Sequence, residues 1–361
     1  MGRVGEQAAM ERALAIAVQG WGRVAPNPLV GAVLLRDGEI VGEGYHAAFG
    51  DPHAEVAALE SCDDPRGATC VVTLEPCAHE GKTPPCADAL IGAGVARVVV
   101  AVADPNPAAA GGIARLRGAG IEVSLGLCEK HAAALNAPFL FCASRPDRPY
   151  VALKLATSLD GQLADATGKS QWLSGSEARA FVQWLRAGFG AIGVGRGTAV
   201  ADDPLLTVRG PLEPRRPPTR VLFARDGEVP RRLRMFDTDS GPVVVVIPHS
   251  RVADVSEAIV NKEVMVMGAD SLTAAMESLR RQGIQSILIE GGGRLATSLL
   301  DEELVDRLYW IQAPRWLGTG TPAFTRAPIS LDAAESWQVT ERRALGPDTL
   351  LVVDRRLCLQ V

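Results

Sequence analysis

The stretch that decides the fold of the first part of this chain is residues 75–86, EPCAHEGKTPPC, read together with HAE at residues 53–55. Cys77 closely follows residues 71–74, an apolar run that predicts a strand. Cys86 follows Thr-Pro-Pro, which is typical of a helix start. A thiol at a helix N-terminus lies near free N–H groups and the positive end of the helix dipole, which favours the thiolate that metals bind.

The HAE segment is itself predicted to open a helix. Asp51 is a typical N-cap residue, and Pro52 suits the first helical position. His53 and Glu55 would then point from the first turn toward the same end of that helix.

These residue types together indicate a zinc site. His53, Cys77 and Cys86 provide three ligands, and tetrahedral zinc would keep a fourth position for water, as catalytic sites do. Zinc lowers the pKa of such a water to about 7. Glu55 is placed to take a proton from that water and to return it to a leaving amine. His79, inside the loop, is a rival ligand.

The pattern departs from that of the nucleoside and nucleic-acid deaminases. Those enzymes have H-x-E followed by P-C-x-x-C, whereas eight residues separate Cys77 from Cys86 here. In a plainer interpretation, His53 caps a helix and both cysteines are small buried hydrophobic residues.

Composition limits the classes of protein that the chain can belong to. At 361 residues it is long enough for two or three domains. A net charge of −5 argues against a general electrostatic grip on nucleic acid or an anionic membrane. The N-terminus lacks the apolar core of a signal peptide, so we expect a cytoplasmic protein, and seven cysteines then do not suit a disulfide framework. The sequence leaves the oligomeric state open, a homo-oligomer included.

Hydrophobic periodicity predicts an α/β fold with two tandem domains, residues 1–145 and 146–361, separated near the polar segment RPDRP at residues 145–149. Strands that alternate with short helices predict mostly parallel sheets, and residues 30–35 and 40–44 are predicted to form a hairpin about Asp37-Gly38. In the first domain the predicted helices and strands are 6–19, 30–35, 40–44, 53–60, 71–74, 86–93, 98–103, 113–118 and 121–124. In the second they are 150–155, 177–186, 191–195, 221–223, 243–247, 263–267, 272–282, 287–290, 294–300 and 307–313.

Three further motifs show that this chain resembles one particular enzyme family. PNPLVGAV (26–33), GEGYH (42–46) and DPNP (104–107) flank the two metal motifs in order and at suitable spacing. The chain resembles the bifunctional deaminase–reductase family of riboflavin biosynthesis. The resemblance implies a cytidine-deaminase-like first domain that removes the pyrimidine amino group of 2,5-diamino-6-ribosylamino-4(3H)-pyrimidinone 5′-phosphate. It implies zinc ligands His53, Cys77 and Cys86 and proton carrier Glu55; Asn27 is either a substrate contact or a turn residue.

Two glycine-rich turns mark the second domain. Residues 287–295, ILIEGGGRL, form a predicted strand, glycine loop and helix start, and residues 194–198, VGRGT, form a second such turn. Such turns let backbone N–H groups approach a phosphate. Neither is the G-x-G-x-x-G dinucleotide fingerprint, and tight turns in α/β folds use glycine anyway.

The second half is similar to the reductase half of the same family, through residues 154–161, 170–172, 185–187, 198–209 and 290–293. The resemblance implies a dihydrofolate-reductase-like fold that uses NADPH to open the ribosyl group, giving 5-amino-6-ribitylaminouracil 5′-phosphate. It implies cofactor contacts at Ala156, Trp172, Thr198, Asp202, Gly292, Gly293, Arg294, Leu295, Ala296, Thr297 and Ser298. It implies substrate contacts at Ser170, Arg186, Leu206, Arg209 and Glu290.

The residue types suit those roles. Arg186 and Arg209 can grip a sugar phosphate, and Trp172 offers a flat face for stacking. The alternative is a purely structural role for each residue, in which Trp172 fills the core and Arg186 is a solvated helix residue. Lys154 and Asp202 are alternative proton sources, and Arg225 is placed to approach a 2′-phosphate.

Two other functions remain as alternatives. One is a zinc deaminase of a nucleoside or tRNA base with a non-catalytic C-terminal binding domain, which the acidic charge and the long cysteine spacing disfavour. The other is a non-catalytic zinc-stabilised binding protein, which would have no need of Glu55.

Overall fold

The computed structural model describes residues 4–79, 84–261, 263–326 and 330–355. Part of the loop between the two cysteine motifs, residues 80–83, lies outside them, as does Cys358. The chain folds into two compact units that divide between Arg145 and Pro146. No helix in these described ranges is long and apolar enough to cross a membrane.

The first unit is a five-stranded sheet with helices packed on it. Its helices are α1 (Glu6–Ala17), α2 (Ala54–Glu60), α3 (Cys86–Gly92), α4 (Gly112–Gly118), α5 (Glu129–Leu135) and α6 (Ala137–Ser144). Its strands are β1 (Gly31–Arg36), β2 (Glu39–Tyr45), β3 (Thr69–Val72), β4 (Arg97–Val100) and β5 (Glu122–Leu125), in the order β2-β1-β3-β4-β5. β1 is antiparallel to both neighbours, which confirms the predicted hairpin with β2, whereas β3, β4 and β5 are parallel to one another.

That hairpin has a local cause. Asp37 and Gly38 both have positive φ, 53° and 83°, which is what a two-residue type I′ turn requires. The turn joins β1 and β2 directly, and an antiparallel pair is the only arrangement that so short a connection allows.

Helix α2 lies directly on β2 because two glycines leave room for it. A Cβ built on Gly44 would lie 2.3 Å from the amide nitrogen of Ala58, and one built on Gly42 would lie 2.6 Å from the Ala58 carbonyl oxygen. The close approach fixes the position of the helix against the sheet and so the place where it begins.

The helix does not begin where the sequence predicted. It starts at Ala54, with His53 as the N-cap residue in extended conformation (φ −70°, ψ 162°), so Asp51 is not the cap and Pro52 is not its first residue. The Pro52 carbonyl oxygen lies 3.1 Å from His46 Nδ1, which ties this segment to the sheet before the helix starts.

The second unit contains a nine-stranded sheet of order β11-β10-β9-β8-β12-β6-β13-β16-β15. The strands of this unit are β6 (Tyr150–Thr157), β7 (Gln162–Asp165), β8 (Ala191–Gly195), β9 (Thr219–Phe223), β10 (Val243–Ile247), β11 (Met265–Gly268), β12 (Ser286–Ile289), β13 (Arg307–Gln312), β14 (Gly320–Pro322), β15 (Trp337–Leu345) and β16 (Asp348–Arg355), of which β7 and β14 form a separate antiparallel pair. The helices are α7 (Ser176–Ala187), α8 (Arg196–Asp202), α9 (Val252–Ala258), α10 (Leu272–Arg281) and α11 (Gly293–Asp301). In the order in which they lie in the sheet, the seven strands β11, β10, β9, β8, β12, β6 and β13 are parallel, as predicted. The β15–β16 hairpin adds an antiparallel edge next to β13.

Parallel strands place their carboxyl ends at one edge of the sheet, where ligand sites of α/β folds form. β8 and β12 are neighbours, so the two glycine-rich turns predicted from the sequence follow adjacent strands. This topology gathers them at one site although they are far apart in the chain.

Candidate metal centre and reductase site

Three predicted ligands meet at the N-termini of α2 and α3. His53 Nδ1 lies 3.2 Å from Cys86 Sγ and 3.7 Å from Cys77 Sγ, and the donor atoms of these three residues all lie within 4.8 Å of one another. The Cys86 backbone N–H, at the start of α3, donates to Cys77 Sγ at 3.4 Å. The N-terminus of α3 therefore favours the thiolate of Cys77, whereas the sequence reasoning expected this effect on Cys86, the thiol at the helix start.

The donor set fits zinc in spacing. Nitrogen and sulfur ligands at about 2.0 and 2.3 Å from tetrahedral zinc lie about 3.5 Å from each other, and the two observed nitrogen–sulfur distances of 3.2 and 3.7 Å bracket that value.

The charge of the two cysteine ligands also suits a bound zinc ion. The Cys86 thiol hydrogen bond lowers the pKa of Cys77 to about 4, and the same pairing raises the pKa of Cys86. The two sulfurs thus share a proton that a cation can replace.

Glu55 lies in the first turn of α2, beside the ligands, and is only 3% exposed. Burial raises the pKa of Glu55 to about 7, while the His53 charge and a hydrogen bond with Cys86 act in the opposite direction. A carboxyl whose pKa lies near neutrality can both accept and return a proton at physiological pH.

The centre opens into a cavity of about 340 Å³. His53, Glu55 and Cys77 line it, together with Asn27, Pro28, Val30, His46, Phe49, Gly50, Asp51, Leu74, Glu75, His79, Asp104, Asn106, Ala109 and Phe139. Asn27 therefore stands where the sequence interpretation put it, in the pocket wall. His79 borders the cavity but is not part of the ligand cluster found among the described residues.

His46 orders the wall beside the metal ligands. Asn27 Nδ2 lies 3.1 Å from His46 Nε2, and His46 Nδ1 lies 3.1 Å from the Pro52 carbonyl. His46 therefore carries its proton on Nδ1, accepts from Asn27 at Nε2, and leaves the Asn27 carbonyl oxygen free to turn toward a ligand. Burial lowers the pKa of His46, which keeps the ring neutral.

Sequence reasoning gave His46, Glu75, Asp104 and Asn106 no role. Their motifs, GEGYH, EPC and DPNP, were the available signal, but spacing alone does not show that distant segments share one cavity.

In the second unit, two predicted substrate residues bind each other. Arg186 of α7 donates from Nε to Glu290 Oε1 at 2.5 Å and from Nη2 to Glu290 Oε2 at 3.1 Å, and both side chains are about one-tenth exposed. Arg186 also donates to the Thr207 carbonyl at 2.9 Å. The Arg186 guanidinium, which was expected to bind a phosphate, is therefore bound to the Glu290 carboxylate. Arg186 is not a solvated helix residue.

Lys154 is the next cation beside this pair. Burial lowers the pKa of Lys154, against the attraction of Glu290. The pKa of Glu290 lies below its usual value although burial opposes ionisation, because Arg186 and Lys154 both favour the carboxylate. Glu290 is thus held charged among cations.

The two glycine-rich turns meet through one hydrogen bond, in which the Gly292 N–H donates to Thr198 Oγ1 at 3.0 Å. A Cβ built on Gly197 would meet nothing within 4 Å, and one built on Gly292 would meet only the Thr198 hydroxyl. Space is thus open beside Gly197 and Gly292, although a Cβ on Gly293, the first residue of α11, would lie 2.5 Å from the Pro322 carbonyl oxygen, and a phosphate can approach backbone N–H groups on the open side. This cradle fits the pyrophosphate of a dinucleotide such as NADPH.

The remaining predicted residues lie on the surrounding elements. Ala156 is on β6, Asp202 ends α8, and Arg294 to Ser298 form the first turns of α11. Leu206 is 3% exposed with a positive φ of 54°, and Arg209 is exposed. Trp172 is 67% exposed, with the Arg179 guanidinium 4.8 Å from its ring centroid, so it does not fill the core. Among the residues that the structure describes, no side-chain hydrogen bond or salt bridge involves Ser170, Asp202 or Arg225.

Comparison with known proteins agrees with both halves. The RibD C-terminal domain model matches residues 149–351, and the model of the cytidine and deoxycytidylate deaminase zinc-binding region matches residues 4–102. Together they confirm the predicted fold class, two tandem α/β domains of the deaminase and reductase types.

Full-length relatives extend the match. The riboflavin biosynthesis protein RibD of Escherichia coli is 42% identical over 360 residues, which cover 95% of this chain and 97% of the relative. RibD of Aquifex aeolicus is 40% identical over 353 residues, covering 96% and 97%.

Two solved structures have the same fold over nearly all of both chains. RibD of Acinetobacter baumannii superposes with a TM-score of 0.82 at 38% identity, covering 97% of this chain and 98% of that one. A Thermotoga maritima protein described as a diaminohydroxyphosphoribosylaminopyrimidine deaminase/5-amino-6-(5-phosphoribosylamino)uracil reductase superposes with a TM-score of 0.83 at 35% identity, with the same coverage. The chain belongs to the RibD family, the bifunctional deaminases and reductases of riboflavin biosynthesis.

Proposed function

We propose that residues 1–145 deaminate 2,5-diamino-6-ribosylamino-4(3H)-pyrimidinone 5′-phosphate and that residues 146–361 then reduce its ribosyl group with NADPH to give 5-amino-6-ribitylaminouracil 5′-phosphate. The observation that carries the first step is the convergence of His53, Cys77 and Cys86 next to buried Glu55 in one cavity.

In the deaminase, His53, Cys77 and Cys86 hold the metal. Bound there, zinc supplies a Lewis acid that lowers the pKa of a water to about 7. Glu55 accepts the proton of the attacking water and delivers it to the amino group, which leaves as ammonia while the ring carbon keeps the oxygen. The Asn27 carbonyl oxygen, oriented by His46, accepts a hydrogen bond from the pyrimidine.

The Glu55→Gln variant tests this step. We expect it to keep zinc and fold but to lose deamination by about 10²–10⁴-fold, since the amide cannot carry the proton. The assay follows NADPH oxidation from the diamino substrate and, separately, from the deaminated compound. In the variant, NADPH oxidation should be lost with the diamino substrate and retained with the deaminated compound. The matched control is Glu60→Gln at the exposed end of the same helix. Deamination retained by Glu55→Gln would remove Glu55 from the mechanism.

In the reductase, the cradle formed by Gly197, Thr198 and the start of α11 binds NADPH phosphates, and NADPH supplies the hydride. Trp172 and Ala156 border the cofactor. Glu290, kept charged by Arg186 and Lys154, accepts hydrogen bonds from ribose or pyrimidine donors. Arg209 binds the sugar phosphate, and Lys154 or Asp202 supplies the proton.

An Arg209→Ala variant separates substrate from cofactor binding. Because Arg209 is exposed and its guanidinium would meet the phosphate, we expect KM for the deaminated substrate to rise about tenfold while KM for NADPH stays within twofold. Arg232→Ala, at another exposed arginine, is the control. If no phosphoribosylaminopyrimidine elicits NADPH oxidation, the reductase proposal fails.

We also propose that the substrate is a small molecule rather than a nucleic acid, and that the reactions take place in the cytoplasm. The metal-binding thiols Cys77 and Cys86 are not disulfide-bonded, and a reducing compartment keeps such thiols competent to bind zinc.

A further inference from the structure

A buried carboxylate with no role in the proposed chemistry lines the deaminase cavity close in sequence to one of the metal ligands. Glu75 is 8% exposed, lines the cavity and stands two residues before Cys77. Its Oε2 accepts the Asp104 N–H at 3.1 Å, and its Oε1 accepts the N–H groups of Gly111 and Ile113, both at 3.0 Å.

These three bonds hold both ends of one loop, residues 104–111, which we call the cavity loop. The loop presents Asp104, Asn106 and Ala109 to the cavity. Inside it, the Asn106 N–H donates to Asp104 Oδ1 at 2.9 Å and the Asn106 carbonyl accepts from Ala109 at 2.9 Å, so the loop is a compact turn. Its place relative to the metal centre depends on what holds its two ends.

The segment around Glu75 is packed tightly against the end of this loop. A Cβ on Gly112 would lie 1.7 Å from the Pro76 carbonyl oxygen, and the Ala78 N–H donates to the Ala109 carbonyl at 3.0 Å. The N–H groups of Gly111 and Ile113 lie at the start of α4, where no carbonyl of the helix can accept from them. Glu75 is the acceptor that satisfies them.

No salt bridge among the described residues involves Glu75, and the bonds to its carboxylate oxygens all come from backbone N–H groups. A carboxylate can serve this way because it only accepts. An amide in its place would aim an N–H₂ group at one of these backbone donors.

We propose that Glu75 is a positioning residue for deamination, which fixes the cavity loop to the segment that carries Cys77 so that Asp104 and Asn106 face the pyrimidine at the metal centre. The inference rests on the proposed deamination, and Glu75 acts through the loop rather than on the reacting atoms.

A Glu75→Gln variant measures the effect on activity. Its carbonyl can keep the bonds to Gly111 and Ile113, but its amino group would repel the Asp104 N–H and release that end of the loop. We expect KM for the diamino substrate to rise at least tenfold, kcat to change less than threefold, and zinc content and reductase activity to stay unchanged. Glu129→Gln, at an exposed helix start, is the control. Deaminase kinetics within twofold of the parent would overturn the proposal.

A double-mutant cycle separates positioning from direct contact. If Glu75 acts through the cavity loop, adding Glu75→Gln to a variant that carries both Asp104→Ala and Asn106→Ala should raise KM by less than a further twofold, because the side chains that the loop presents to the substrate are already removed although the backbone bond to Glu75 remains. A Glu75→Gln effect on KM of the same size in that variant as in the parent would mean that Glu75 does not act through the cavity loop.

Amide hydrogen exchange in the unmodified protein tests the anchor without substrate or variant. We expect the N–H groups of Asp104, Gly111 and Ile113 to exchange at least 100-fold more slowly than exposed loop amides such as that of Gly50. Exchange as fast as that of Gly50 would overturn the inference even if deamination proceeds. Slow exchange in a protein that does not deaminate the substrate would show that the proposed function, not the anchor, has failed.

Discussion

The Glu55 carboxyl is costly to bury. It is 3% exposed, and burial raises its pKa to about 7, so the folded protein favours the protonated form more strongly than the unfolded chain does. Such an arrangement costs stability near neutral pH, and functional groups are where proteins tolerate that cost.

This cost predicts a pH dependence of stability in the metal-free protein. The folded pKa of about 7 lies above the unfolded value of 4.5, so the Glu55 contribution is fully present below pH 4.5 and is lost as the pH rises through 7. The unfolding free energy of the parent relative to Glu55→Gln should fall by about 3 kcal/mol over that window. Urea denaturation of both chelated proteins from pH 4.5 to 8 measures it, and a pH-independent difference would contradict the burial argument.

The sequence predicts a site residue when the motif that identifies it lies within a short stretch of the chain. His53, Cys77 and Cys86 could be predicted because their residue types, helix starts and spacing indicate zinc without any knowledge of packing. The Arg186–Glu290 pair could not, because its partners are 104 positions apart and either side chain alone suits a phosphate or a ribose.

At the scale of elements, the metal centre depends on how closely α2 approaches β2. Gly42 and Gly44 have no side chains to hold the helix off the sheet, and His53 and Glu55 stand at its start. The β1–β2 hairpin is predictable from Asp37-Gly38. The close approach of α2 to β2 is not predictable, because a glycine in a strand can also mark a bulge or a bend.

A Gly44→Ala variant tests that dependence. The added methyl would lie 2.3 Å from the Ala58 nitrogen, so α2 must shift. We expect the unfolding free energy to drop by about 1–3 kcal/mol and zinc affinity to fall with it. Gly118→Ala, where a Cβ meets nothing within 4 Å, should leave both unchanged. Unchanged zinc affinity in Gly44→Ala would show that the helix position does not set the ligand geometry.

Other elements were missed for a physical reason. β15 carries WQVTERRAL, and most of its side chains are exposed because the strand lies at the edge of the sheet. It therefore lacks the apolar alternation that marks a half-buried strand. The start of α2 at Ala54 rather than Pro52 was also missed; there the Pro52 carbonyl oxygen pairs with the His46 ring, a contact between two loop residues that hydrophobic periodicity does not reveal.

At the scale of the whole molecule, the chain combines two α/β units, one with a five-stranded sheet and the other with a nine-stranded sheet and a separate two-stranded pair. The alternation of strands and helices was enough to predict the class. It did not predict the order of the strands in either sheet, nor the β15–β16 edge, where strand direction reverses. All three proposed metal ligands belong to the first unit, so loss of metal should leave the NADPH-dependent reaction intact.

The most direct test of the account is the zinc content of the full-length protein, measured by elemental analysis together with that of Cys86→Ser. We predict one zinc per chain in the parent, and less than a tenth of that in Cys86→Ser after dialysis, with reductase activity retained. Cys128→Ser, away from the ligands, should keep its zinc. A parent without stoichiometric zinc, or a Cys86→Ser variant that binds it as well as the parent, would contradict the assignment of His53, Cys77 and Cys86 as the metal centre.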